Sequence, residues 1–246
     1  MKITANSSQL KYLTLGAGGL GLALRFALYA TGMDGRNLLI TGHWANTAVW
    51  MITAVTLAGL ILLCRTLAGP ETYSDCHPVS APAALGAALG GCAILVTAIG
   101  EFSYFTRLDL IVTALGIAAG ISLLVLAACR LTGRKATPLL HALVSLFFAI
   151  RMIRQYQLWS SDPQVQNYCF YLCAYVALML SAYHHAEFEA DMGNHKRLWM
   201  YSLAAVYFCA LSLKGTVDTC LLLGCGVWAF TNLTNLTGPV ITQNQS

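Results

Sequence analysis

Along the chain, apolar residues fall in long continuous runs. They neither alternate with polar ones, as in half-buried strands, nor recur on one side only, as in surface helices. In the first half the runs lie at about Leu10–Thr31, Trp44–Leu63, Ala81–Phe102 and Leu108–Cys129. In the second half they lie at about Leu139–Trp159, Tyr168–His185, Leu198–Leu213 and Val217–Leu236. Each approaches or exceeds the roughly 20 residues with which an α-helix crosses a bilayer's hydrocarbon core. Continuous runs without a two-residue period favour helices over barrel strands. The connections are short, with no soluble domain, charged tail or Pro-rich linker between runs. The pattern predicts an all-α transmembrane helical bundle of about eight spans, one polytopic membrane domain over residues 1–246. Seven spans is the alternative, because the seventh run is short and the first carries Arg25.

Composition agrees. Only 10% of the residues are charged and 57% are hydrophobic, against roughly a quarter charged in soluble domains. The net charge of +4 is spread over loops, which gives no support to nucleic-acid binding. Of the nine cysteines only Cys76 stands in a clear loop. The others sit in or at the ends of apolar runs, where a free thiol behaves as a small hydrophobe. Lys2 and Lys11 precede the first run as in a secretory signal, but Arg25 interrupts it after about a dozen apolar residues and no small-x-small cleavage site follows. The run is read as an uncleaved first span. Basic residues concentrate in RLTGRK, Arg130–Lys135. With the N-terminus inside, the inner side also collects Lys2, Lys11, Arg65, Lys196 and Arg197. The bias predicts both termini on the cytoplasmic side.

Within LGAGGLGLAL, residues Gly16, Gly18 and Gly21 spell G-x-G-x-x-G. A dinucleotide fingerprint needs a strand before it, a helix after it and an acid about 20 positions on. Here position 36 is Arg36 and no strand pattern precedes the glycines. Gly86-x-x-x-Gly90 and Gly116-x-x-x-Gly120 repeat the small-residue habit. All are read as faces where membrane helices approach closely, and where a second copy of the chain could pack.

Ionisable residues at membrane depth are costly and usually have a partner or a task. Two groups stand out. The outer group is Arg25, Arg151 and Arg154, which could line a pocket for a small anion, since Arg recognises carboxylate and phosphate bidentately. Glu101, Asp109 and Asp162 lie on the same side and could neutralise these arginines instead, or each arginine could snorkel to headgroups. The inner group is YHHAEFEADMGNH, Tyr183–His195. If the sixth helix continues, His184, Glu187 and Asp191 share one face and could hold a divalent metal or relay protons. His185 and Glu189 form a second pair at i, i+4. The spacing is neither H-E-x-x-H nor the E-x-x-H of di-iron bundles, and a solvated helix end pairing with Arg130, Arg134, Lys135, Lys196 and Arg197 explains it as well. No catalytic residue is assigned. His141 and Ser145, four apart, lack an oriented third partner.

WSSDPQVQNYCF (Trp159–Phe170) and AYHHAEFEADMG (Ala182–Gly193) resemble segments of a conserved-hypothetical family of bacterial polytopic membrane proteins. The resemblance implies a bacterial plasma-membrane location and assigns no functional residue. Three function classes stay open. The first is a small-solute transporter or transport-associated protein, acting on an anion in one version. The second is a sensor, scaffold or assembly partner, and the third is an intramembrane metal-dependent enzyme.

Overall fold

A computed structural model describes residues 7–33, 40, 42–67, 79–100, 106–160, 165–213 and 218–234. The described secondary structure is helical: α1 (Ser7–Thr31), α2 (Trp44–Arg65), α3 (Ala81–Gly100), α4 (Arg107–Thr132), α5 (Pro138–Trp159), α6 (Val165–Glu189), α7 (His195–Leu211) and α8 (Asp218–Asn232). Local chemistry sets the ends. Thr106 caps α4 by accepting from the Asp109 amide, and Gly133 closes it at φ 69°, a left-handed conformation that glycine adopts without strain. Pro138 opens α5, where its missing N–H costs nothing. Asn194 caps α7 through the Lys196 amide.

Five helices, α1 to α5, are long and apolar enough to cross a membrane. Helices α3 to α8 form a closed ring in which each packs on the next and α8 returns to α3, while α6 and α8 also touch across it. The α1–α2 hairpin docks against α7 from outside. Held between hairpin and ring, α7 is buried almost all round. A Ser181–Ser202 hydrogen bond (2.9 Å) ties α6 to α7, and Thr53 to Tyr207 (2.9 Å) ties α2 to α7.

The small-residue faces do pack helices. A Cβ on Gly91 of α3 would come within 2.9 Å of the Gly120 carbonyl oxygen of α4, and one on Gly224 of α8 within 3.0 Å of the Leu89 carbonyl oxygen of α3. Gly86, Gly90 and Gly116 are likewise filled from a neighbouring helix. In α1, Gly18 and Gly21 lie against Ala210 and Leu211 of α7, whereas Gly16 faces open space. The residues ahead of these glycines, from Ser7 on, are helical, so the fingerprint spelling sits inside a helix rather than after a strand.

Two ionisable centres inside the helical ring

Three helices line the ring interior with the same spacing. On α5 the buried stripe is His141, Val144, Phe148, Arg151 and Gln155. On α6 it is Tyr175, Leu178, Ala182, His185 and Glu189. On α8 it is Asp218, Leu221, Cys225, Trp228 and Asn232. Each steps by three, four, three and four residues, the repeat that keeps one face of a helix against its neighbours. The polar members collect at the two ends of the ring and the apolar ones between them. Ten residues separate His141 from Arg151, and Asp218 from Trp228, about 15 Å at the helical rise of 1.5 Å per residue.

The inner centre is built on Glu189, at the last turn of α6. Its Oε1 accepts from Arg130 Nη2 of α4 at 2.5 Å and lies 3.2 Å from His141 Nε2 of α5. The rings of His141 and His185 stack at 5.3 Å, and Trp228 lies 6.0–6.1 Å from both. Arg130, His141, His185 and Glu189 are all buried, none more than 4% exposed. Hydrogen-bonding capacity is left over: Glu189 Oε2, His141 Nδ1, His185 Nε2 and Trp228 Nε1 have no partner among the described residues. Buried polar atoms without partners are uncommon, and each calls for an explanation.

The outer centre is built on Asp218, in the first turn of α8. Arg151 Nη2 donates to Oδ1 and Gln155 Nε2 to Oδ2, the latter at 3.2 Å. The Arg151 guanidinium carbon lies 5.9 Å from the Tyr175 ring and 6.0 Å from that of Phe147. Here both carboxylate oxygens are used.

The structure distributes the outer arginines over separate partners. Arg25 donates to the Leu211 carbonyl at the end of α7 (2.9 Å) and to the Tyr29 hydroxyl, with Tyr29, Phe170 and Tyr171 rings 5.1–5.6 Å from its guanidinium carbon. The surface beside it is lined by Leu22, Phe26, Leu211 and Leu213. Arg154 Nε donates to Asp109 at 2.7 Å, joining α5 to α4, so these two come together as charge partners. Glu101 and Asp162 lie outside the described residues.

At the inner edge, His184 Nδ1 and Glu187 lie 2.7 Å apart. Asp191 leaves their face, because α6 stops at Glu189 and the chain turns. Met192 donates back to the Glu187 carbonyl, Asp191 takes the left-handed φ of 58°, and its carboxylate pairs with Lys135. Gly193 permits the turn, since a Cβ there would meet the Phe188 backbone at 2.6 Å. Among the described residues no three His, Cys, Asp or Glu side chains gather as a metal site. Ser145 donates to the Met179 carbonyl rather than to His141. The eight described cysteines are free.

Asp218 and Gln155 were not legible as a site in the sequence, and Arg130 with Glu189 was legible only as one of several pairings open to the Tyr183–His195 segment. The signal that carries them is the shared three–four spacing with ionisable residues at its ends. Compared with known proteins, the chain matches no protein-family model, no curated protein and no solved structure.

Proposed function

We propose that the protein is an eight-span integral membrane protein of a bacterial plasma membrane that moves a small solute, or assists its movement, in a proton-linked way. Helices α6 to α8 hold 25, 17 and 15 residues, about 38, 26 and 22 Å at 1.5 Å per residue. They are interleaved with the five apolar helices in one bundle, and their lower apolarity comes partly from polar groups that face the interior. Three basic residues in Arg130–Lys135 support a cytoplasmic inner end and cytoplasmic termini. Reporter fusions after Lys135 and Ser246 should both give an inside signal; an outside signal from either reverses the orientation.

One observation carries the functional reading: the buried Arg130–Glu189–His141–His185 centre with unused carboxylate and imidazole atoms. A bundle that only had to pack would be about as stable with apolar side chains at these positions. Ionisable groups within a membrane bundle mark ion or proton paths. The spare atoms of the centre can receive a proton without breaking the Arg130–Glu189 bond. In liposomes with an entrapped pH indicator, the reconstituted protein is challenged with small organic acids, amines and neutral solutes. At least one class should move protons faster than in protein-free liposomes, and Glu189→Gln should abolish the difference. Equal proton movement with and without protein, over the whole panel, overturns the reading.

A further inference from the structure

We propose that the outer centre binds a small monocarboxylate together with one proton, the ligand's carboxylate replacing that of Asp218 on Arg151. This rests on the proton-linked reading above and names its solute. Arg151 and Gln155 stand one turn apart on α5 and direct one donor to each oxygen of a single carboxylate. Together they form a carboxylate receptor, of which Asp218 is the resident occupant. Guanidinium is the side chain best matched to that group.

Charge dictates the proton. Arg151 is 1% exposed and Asp218 6%, so this oppositely charged pair is shielded from water. A second carboxylate would leave an uncompensated buried charge, which is strongly unfavourable. Among the described residues, Arg151 is the cation paired with Asp218. Helix α5 brings Arg151 and Gln155 to Asp218, and α6 brings Tyr175. Helix α3 has no charged residue, and those of α7, His195, Lys196 and Arg197, lie at its opposite end. A carboxylate anion and a proton enter, and the Arg151–Asp218 hydrogen bond breaks. A bond from Arg151 to the ligand carboxylate forms, and the proton ends on the Asp218 carboxyl. The site stays neutral throughout. The layer beneath, Phe147, Phe148, Leu178 and Leu221, is buried and apolar, which suits a short hydrocarbon tail and rejects a second charged group.

Calorimetric titration of the full chain in lipid nanodiscs with sodium acetate, in two buffers of unlike protonation enthalpy, tests this. Wild type should take up about one proton per acetate bound, the number charge balance requires, while sodium chloride at the same concentration should give no binding heat. Asp218→Asn should bind acetate without proton uptake. Because Arg151→Gln alone strands a buried carboxylate, the double variant Arg151→Gln/Asp218→Asn, which removes both charges, is the folded control and should not bind. Acetate binding without proton uptake in wild type, or wild-type-like binding by the double variant, overturns the proposal. A wild type that moves protons with another solute yet ignores acetate sinks this inference alone. Loss of all protein-dependent proton movement with proton-linked acetate binding intact sinks only the transport reading.

Discussion

The two ends of the ring hold the same kind of pair, an arginine against a carboxylate, and finish it differently. At the inner end Arg130 and His141 converge on one oxygen of Glu189, and the other oxygen has no partner among the described residues. At the outer end Arg151 and Gln155 take one oxygen of Asp218 each. The inner carboxylate has spare capacity and can respond to a proton where it stands. The outer one has both oxygens engaged and responds by exchanging partners. An apolar layer about two helical turns thick separates them, so neither centre neutralises the other.

The largest expected effect tests the inner pair. Arg130→Ala leaves Glu189 buried with only an imidazole beside it and should lower stability by about 3–5 kcal/mol, read as denaturant-induced unfolding in micelles. Arg130→Met with Glu189→Leu should recover most of that loss. If the single variant is as stable as wild type, the pair is not buried as described.

Arg151→Ala should cost about 1 kcal/mol less than Arg130→Ala, because Asp218 lies in the first turn of α8, where the helix dipole favours a negative charge. Equal losses in the same unfolding assay would mean that the helix end contributes nothing. Arg154→Ala removes a partner of Asp109 that stays 13–17% exposed together with its arginine. Thr106 continues to donate to Asp109 at 2.7 Å, so the cost should be about 1 kcal/mol or less. A loss as large as that of Arg151→Ala would place this third pair among the buried ones.

The remaining effect concerns pH at the inner edge. Burial, and then the Lys196 charge, push His195 at the start of α7 down to about 4, from an ordinary value near 6.5. The unfolded chain then binds the extra proton between about pH 6.5 and 4, so stability falls as pH drops through that window. His195→Asn should flatten the thermal midpoint over the same range. An unchanged slope would assign the pH response to other groups, those of the inner centre first.

Much of the fold could be read from the apolar runs. The eight runs match the eight helices to within a few residues at most described ends, because the length and continuity of an apolar run are written locally. The glycines were legible for a similar reason, since close helix approach leaves few alternatives to a small residue. The site was legible only in part. Arg151, Arg154 and Asp109 stood out as costly at depth, and Arg154 and Asp109 are indeed partners. Asp218, a single acid at the mouth of a short run, carries no local mark of its importance. Asp191 looked like a neighbour of His184 and Glu187 on a longer helix, but the turn at residues 190–193 takes it to Lys135.

By itself, the sequence determined the helical class of the protein and the places of its helices. These follow from the cost of unsatisfied backbone in an apolar medium, which each segment meets alone. The pairing of the buried charges was decided only in the tertiary structure. Arg130 finds Glu189 59 residues away, and Arg151 finds Asp218 67 residues away. Such partners are chosen by which helices close the ring and how each is rotated within it, and a helix's own spacing tells which residues share a face without telling what that face will meet.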